Sequence, residues 1–371
     1  MKETSATPPS TSPSRSRPDE ASSAGEEPQK RDPRSKNQHI EHCLTDAVEY
    51  RKSAGFERYD FVNQALPEVA LEQIQLQTSL VGKTLSAPLM ISPMTGGVEE
   101  AHAINRRLAR AAERWGLPMG VGSQRVGVED NARSQFFKVR EEAPTTVIFG
   151  NMGGAQLVKG WGETQARRCV EMIEADALFL HLNPIQEAIQ GGDLDFRGLR
   201  EKIRSLVKAL EADGVPVFAR EVGFGLSEQA ARELMDCGIA GLDCAGAGGT
   251  SWAKVEALCA KTERRRIMGH RFGEWGIPTS ESIVAVRNVS RSIPLIATGG
   301  LRSGIDVAKA IALGADIASM ARPFLVAAQA GDEGLDAFIS DVLTEVRICM
   351  FGIGAADLSA LKHTQSLRQI A

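Results

Sequence analysis

The chain has 371 residues, 43% hydrophobic and 24% charged, with a formal net charge of -4. That length suits one ordinary α/β barrel with a tail and requires no second domain. The composition is that of a soluble globular protein, and the charge gives no general pull toward nucleic acid or an anionic membrane, so any basic anion site has to be local. Apolar runs are broken by Gly, Asp or Arg before they reach the length of a membrane span. Six cysteines, at 43, 169, 237, 244, 259 and 349, form no Cys-x-x-Cys pair. This argues against a zinc site or a disulfide framework and fits a reducing cytoplasm.

Residues 1–33 are dominated by Ser, Thr, Pro, Glu and Arg and have almost nothing to bury. Such a segment cannot recover its ordering entropy and is expected to be a disordered tail. It lacks the apolar stretch of a secretory signal, and its acidic residues argue against a transit peptide. The expected organisation is a tail over 1–33 and one domain over 34–371.

From about residue 86 short apolar runs alternate with amphipathic ones. The apolar runs are APLMIS (87–92), PMGVGS (118–123), TVIFGN (146–151), ALFLHLN (177–183), PVFAREVG (216–223), GLDCAG (241–246), PLIATGG (294–300) and DIASMA (316–321). Helical patterns between them include AINRRLARAAERW (103–115), FRGLREKIRSLVKALEA (196–212), EQAARELMDCG (228–238) and VAKAIALGA (307–315). Runs with no polar alternation are what strands buried on both faces require. An eight-fold alternation predicts a closed TIM (β/α)8 barrel rather than an open sheet. EADALFL, LGADIAS and CGIAGLD share a helix-to-strand punctuation that reads as a recurring αβ turn. Residues 252–280 read as the longest irregular insertion, a lid or a subunit contact.

Barrel chemistry sits at the C-terminal strand ends. Here those ends carry SPMTGG, GSQR, GNMGGAQ, HLNPIQE, REVG, AGAGGTSW, TGGLRSG and MARP. Barrel stability alone does not require that crowding of polar and glycine residues. ATGGLRSG (297–304), followed by a helix and then ASMAR (318–322), is the strongest signal. Glycines after a strand let backbone N–H groups approach an anion, and the next helix adds its dipole. Gly299, Gly300 and Gly304 also suit a plain tight turn, but Arg302 and the later Ala321-Arg322, at the loops where barrels commonly hold phosphate, favour phosphate binding. Thr250 and Ser251 on the second glycine-rich top stand ready to add donors or to make a turn.

Several strings resemble one family. KNQHI (36–40), MTGG (94–97), GSQR (122–125), GNMGGAQL (150–157), HLNPIQE (181–187), EVGFG (221–225), DCAGAGGTSW (243–252), WGIPT (275–279) and TGGLRSGIDVAKAIALGAD (298–316) are similar to the type 2 isopentenyl-diphosphate isomerases, an FMN-dependent family. The HLNPxQE, MTGG and GGTSW strings together are highly specific.

The resemblance implies the site. Pro93, Met94, Thr95, Ser123 and Asn151 look like contacts to the flavin ring and ribityl chain. Thr250, the turn Gly300-Leu301-Arg302, and Ala321-Arg322 look like the FMN phosphate cradle. His181, Asn183, Gln186, Arg125 and the Ser35-Lys36 pair look like the substrate side, and Glu187 like the Mg2+ carboxylate. The family usually has Arg-Lys where this chain has Ser35-Lys36, and a lysine where it has Arg220, on the flavin's pyrimidine side. Arginine keeps the charge that favours an anionic reduced flavin but directs its hydrogen bonds differently.

The implied activity is a 1,3-proton shift between isopentenyl and dimethylallyl diphosphate, with reduced FMN as acid/base, Gln186 orienting the reacting carbons, Mg2+ on the diphosphate and NADPH as reductant. A cytoplasmic homo-oligomer, tetramer or larger, is implied as well, with no nucleic-acid or membrane partner. Two competing readings are an FMN oxidoreductase of the hydroxyacid-oxidase type and a flavin- or prenyl-diphosphate-binding paralogue without turnover. The first requires a histidine base with a paired arginine after the sixth strand, where this chain has Gly-Gly-Thr-Ser-Trp.

Overall fold

Each of the eight apolar runs becomes a strand. In the computed structural model, which describes residues 34–370 and side-chain surroundings from residue 38 onward, they are β1 (Leu89–Ile91), β2 (Met119–Gly120), β3 (Ile148–Gly153), β4 (Ala177–His181), β5 (Val217–Arg220), β6 (Gly241–Asp243), β7 (Leu295–Thr298) and β8 (Ile317–Met320). They pair in chain order, all parallel, and β8 closes on β1. The expected tail over 1–33 and the Ser35 and Lys36 side chains lie outside the described residues.

Successive side chains on a strand point to opposite faces, and the two faces form separate apolar clusters. Ile91, Leu178, Leu180, Ala219, Leu242 and Ala297 belong to the large cluster shared with the surrounding helices. Met90, Phe149, Phe179, Phe218, Ile296 and Ile317 fill the barrel interior. Phe149 and Phe179 stack with centroids 4.2 Å apart, and Phe218 meets Phe149 edge-on at 5.2 Å. A hairpin, Thr78–Leu80 with Lys83–Leu85, adds Leu80 and Leu85 to that cluster at the strand starts.

Two positions further along the strands, the same alternation delivers polar residues. Ser92, Asn151, His181, Arg220, Asp243, Thr298 and Ser319 follow the inward Met90, Phe149, Phe179, Phe218, Gly241, Ile296 and Ile317. All of these polar residues except the half-buried His181 are buried. The interior is therefore an apolar floor beneath a polar layer at the C-terminal mouth.

The recurring αβ turn is a repeated clamp. Asp176 Oδ2 accepts the N–H of Ile148, which opens β3, at 2.9 Å, and Asp316 Oδ2 accepts that of Leu295, which opens β7, at 2.8 Å. An arginine meets each carboxylate, Arg140 at 2.9 Å and Arg287 at 2.7 Å, and so does a lysine, Lys83 or Lys362. Both arginines also donate to backbone carbonyls at the strand starts. The third string has Ala240 at this place and keeps only the backbone bond to Val217 O, at 2.8 Å.

Residues 252–280 are not irregular: they hold the helices Trp252–Cys259 and Glu263–Arg271. Ser251 and Thr262 cap them by accepting the N–H groups of Lys254 and Arg265. The second helix, ERRRIMGHR, has too few apolar residues to show a helical period, so its sequence resembles a loop. Among the described residues no helix is long and apolar enough to cross a membrane. All six cysteines are free.

Burial pushes the Asp176 carboxyl up, but hydrogen bonds from Lys83, the Ile148 N–H and Arg140 outweigh it and hold its pKa below the usual range. A carboxyl lowered on folding stabilises the fold above its unfolded pKa, and that contribution is lost as pH falls through the folded value. Asp176→Asn should therefore cost about 1.5–3 kcal/mol at neutral pH, the range for hydrogen bonds to a charged group. Urea unfolding of both proteins should show the gap narrowing on acidification, and a gap independent of pH would contradict the clamp.

Candidate active site

Around β2–β4 the mouth is braced by amides. Gln124, fully buried, accepts the Asn151 N–H through Oε1 at 2.8 Å and donates from Nε2 to Cys169 O at 2.8 Å. Asn151 Nδ2 donates to Val121 O at 3.1 Å, leaving Oδ1 to accept from His181 Nδ1 at 2.8 Å. An amide oxygen only accepts, so His181 carries its proton on Nδ1. Gln124 was not singled out in the sequence, although it stands within the GSQR string.

The segment after β4 folds back on itself. Asn183 Nδ2 donates to Gln186 Oε1 and to Glu187 Oε1, each at 3.0 Å. Glu187, 2% exposed, accepts the Asp193 N–H through Oε2 at 2.8 Å. Gln186 Nε2 donates to Glu256 Oε1 at 2.8 Å, and His39 Nε2 lies 3.8 Å from that oxygen. Pattern reading missed Glu256 and His39, because nothing local in SWAKVE or NQHIE shows that the two helices meet there.

Arg125 is placed between carboxylates, donating to Glu129 at 2.8 Å and to Asp193 Oδ2 at 3.3 Å. Lys159 pairs with the same Asp193, and Gln156 donates to it at 3.0 Å. Burial pushes the Asp193 carboxyl up, but these three partners outweigh it and hold it below its usual range. The acidic loop after Gln190 thus ties Glu187 to two cations.

Arg220 lies buried with its NH2 on Ser92 Oγ at 3.3 Å, its Nε 3.3 Å from Asp243 Oδ2, and its guanidinium carbon 5.2 Å from the Phe179 ring centroid. Next to it, burial pushes Glu221 up to about 7, although its Oε2 accepts the N–H groups of Val222, Gly223 and Phe224 at 2.6, 2.9 and 2.6 Å. That nest holds the turn after β5. Tyr50 OH reaches the same turn at Gly223 O, 2.9 Å away.

At β6 and β7 the two glycine turns press backbone on backbone. Gly300 has φ 73°, and a Cβ on it would lie 2.5 Å from the Gly248 carbonyl carbon; a Cβ on Gly249 would lie 2.7 Å from the Gly300 nitrogen. Only glycine meets both demands. Leu301 is buried under the turn, and Arg302 and Arg322 both reach Glu49, Arg302 at 2.9 Å. Arg322 also donates to Cys43 O at 2.9 Å and to Asp46 at 2.7 Å, and Thr250 bridges Glu49 through the backbone. Ala321 precedes that arginine as the cap of the helix Arg322–Gln329. Pro93, Met94 and Ser123 are half-buried beside the β1 and β2 tops, and Thr95 O accepts from Asn105 Nδ2 at 2.9 Å.

A flavin nucleotide fits these residues. Arg220 Nε, Asp243 Oδ2 and Thr298 Oγ1 are buried in the polar layer outside hydrogen-bond geometry with any partner. Arg220 Nε and Asp243 Oδ2 lie 3.3 Å from each other, so the Thr298 hydroxyl and the rest of the guanidinium are the donors suited to the edge of a polar ring. The glycine turns with Arg302 and Arg322 supply backbone donors and cations of the kind a phosphate takes. A divalent ion is a narrower fit. No group of three His, Cys, Asp or Glu side chains forms a metal cage among the described residues. Glu187 offers hard carboxylate oxygens of the kind that suits a Mg2+ ion held mainly by substrate oxygens.

Known proteins resemble this chain in sequence and in fold. The FMN-dependent dehydrogenase family matches residues 29–143 and 205–368. An isopentenyl-diphosphate delta-isomerase of Synechococcus sp. is 49% identical over 338 residues, spanning 91% of this chain and 96% of that protein. One from Methanothermobacter thermautotrophicus is 45% identical over 331 residues, 89% of this chain and 91% of that protein. In structure, the chain is similar to a putative lactate oxidase of Pediococcus acidilactici, with a TM-score of 0.63 at 17% identity over 91% of each chain. It is also similar to a flavocytochrome b2, with a TM-score of 0.63 at 16% identity over 90% of this chain and 83% of that one. At those identities the structures speak for the barrel alone. The chain belongs to the FMN-dependent dehydrogenase family and, within that barrel, to the isopentenyl-diphosphate delta-isomerases.

Proposed function

We propose that the enzyme interconverts isopentenyl and dimethylallyl diphosphate by a redox-neutral 1,3-proton shift, with FMN in its reduced form and Mg2+ bound. The observation that carries the reading is the joining of Asn183, the half-buried Gln186 and Glu187 in one network after β4, beside the His181–Asn151 pair. A pure flavin carrier has no evident use for that network, and a hydroxyacid oxidase requires a different one. Reduced FMN supplies acid–base chemistry that the few titratable side chains at the strand tops do not.

The chain's own residues bind, orient and exclude water. Pro93, Met94, Thr95, Ser123 and Asn151 hold the ring and ribityl side, and Arg220 favours a negative charge there. Thr250, Gly300, Leu301, Arg302, Ala321 and Arg322 would hold the phosphate, with both arginines also paired to Glu49. His181, Asn183 and Arg125 bind the diphosphate side, joined by Ser35 and Lys36 from the N-terminal helix, Arg34–Cys43. Glu187 would hold Mg2+ at the substrate's diphosphate, and Gln186, held by Glu256, fixes the allylic carbons. NADPH as reductant, cytoplasmic location and a homo-oligomer of four or more subunits complete the reading.

The direct test is proton exchange. Purified protein with reduced FMN, Mg2+ and isopentenyl diphosphate in heavy water should yield dimethylallyl diphosphate carrying deuterium. No product would favour the non-catalytic reading.

The separate roles predict separable variants. Glu187→Gln should leave FMN affinity unchanged, raise the Mg2+ requirement and cut turnover by about a hundredfold or more, a loss near 3 kcal/mol. A Mg2+ titration of turnover beside FMN binding checks this, and a parallel loss of FMN would contradict it. Arg322→Ala should weaken FMN roughly ten- to a hundredfold, the worth of a charge-assisted hydrogen bond, while riboflavin binds as before. An equal loss for riboflavin would show that Arg322 only tethers Asp46 and Glu49.

A further inference from the structure

Neither the family resemblance nor the proposed mechanism gives Asp243 a role, yet it is the fully buried partner of Arg220. The two are cross-strand neighbours on β5 and β6, 0% and 5% exposed. Asp243 Oδ1 accepts the Ala245 N–H at 3.1 Å, and Ala245 takes a left-handed φ of 34°, so the turn after β6 is bent over the carboxylate at some backbone cost. Its Oδ2 faces Arg220 Nε at 3.3 Å without hydrogen-bond geometry, because the guanidinium is shared with Ser92 and the face of Phe179. Burial pushes the Asp243 carboxyl up, against the pull of Arg220, the Thr298 hydroxyl and the Ala245 N–H toward the anion. Arginine does not lose its proton in such a site, so the buried cation requires an anion beside it.

We propose that Asp243 is a positioning residue: it fixes the Arg220 guanidinium across the mouth of the barrel and offsets its charge, and so sets how strongly Arg220 favours the anionic reduced flavin. The proposal rests on the reading of Arg220 as a flavin-side cation. The loose 3.3 Å contact is suited to this work, since a tight bidentate pair would spend the whole fork of the guanidinium on the carboxylate. A lysine here would offer a point charge in place of a planar fork, so Asp243 and Ser92 together direct what the arginine presents.

Redox titration of FMN-loaded variants tests the proposal. Asp243→Asn leaves Arg220 uncompensated, so the potential should rise, by on the order of tenfold in the reduced-to-oxidised ratio at a fixed poise. Asp243→Glu keeps the charge and should stay near the parent value, and Arg220→Met should lower the potential. A second comparison avoids a lone buried cation, so it stands even where Asp243→Asn does not fold. Arg220→Met and the double variant Arg220→Met with Asp243→Asn should share one potential, because an aspartate without its cation takes up a proton in this interior. A merely structural Asp243 would change stability and leave this pattern absent. A parent potential in Asp243→Asn, or a clear difference between the single and double variants, overturns the proposal while the reading of Arg220 stands. An unchanged potential in Arg220→Met overturns both.

Discussion

The period of two along a closed strand governs this molecule. Once Phe149, Phe179 and Phe218 face inward to make the aromatic floor, Asn151, His181 and Arg220 face inward as well, one layer nearer the mouth. A slip of one residue in any strand would exchange floor and layer for outward positions under the helices. The hydrophobic packing that closes the barrel therefore also fixes the directions of the candidate site's side chains. The core selects the register, and the register aims the site.

A polar layer over an aromatic floor has an electrostatic cost that its partners offset. Charges in such an interior survive only in company, and each one here has it. Arg220 has Asp243 and Ser92, Glu221 has three backbone N–H groups, and Asp193 gathers Arg125, Lys159 and Gln156. The phosphate-type cations Arg302 and Arg322 converge on Glu49, which comes from the segment before the barrel. That convergence couples the N-terminal segment, including the helix that bears His39, to the turns after β7 and β8.

Most of the fold was legible in the sequence because a parallel strand buried on both faces reads as an unbroken apolar run, and all eight runs did. The shorter pieces were not: Tyr59–Phe61 pairs with Leu367–Gln369, three residues each, too short to show a period and far apart in the chain. The helix Glu263–Arg271 was hidden by its lack of an apolar stripe. For the site, the glycine turns and HLNPIQE stood out as strings, whereas their partners did not. Asp243, Glu256 and Glu221 become visible only when neighbouring strands and helices are laid side by side, since each meets a residue from another stretch of chain or a nest formed by folding. The αβ turn string was visible, but its two carboxylate clamps needed coordinates.

The central claim is that a flavin barrel related to dehydrogenases here performs chemistry without net electron transfer, and electron balance tests it most directly. Under anaerobic conditions the FMN would be reduced with a single measured portion of reductant, and product then counted against reducing equivalents. The account predicts many molecules of dimethylallyl diphosphate per equivalent, with none formed before reduction and the flavin still reduced at the end. One equivalent consumed for each product would contradict it and return the enzyme to the oxidoreductases.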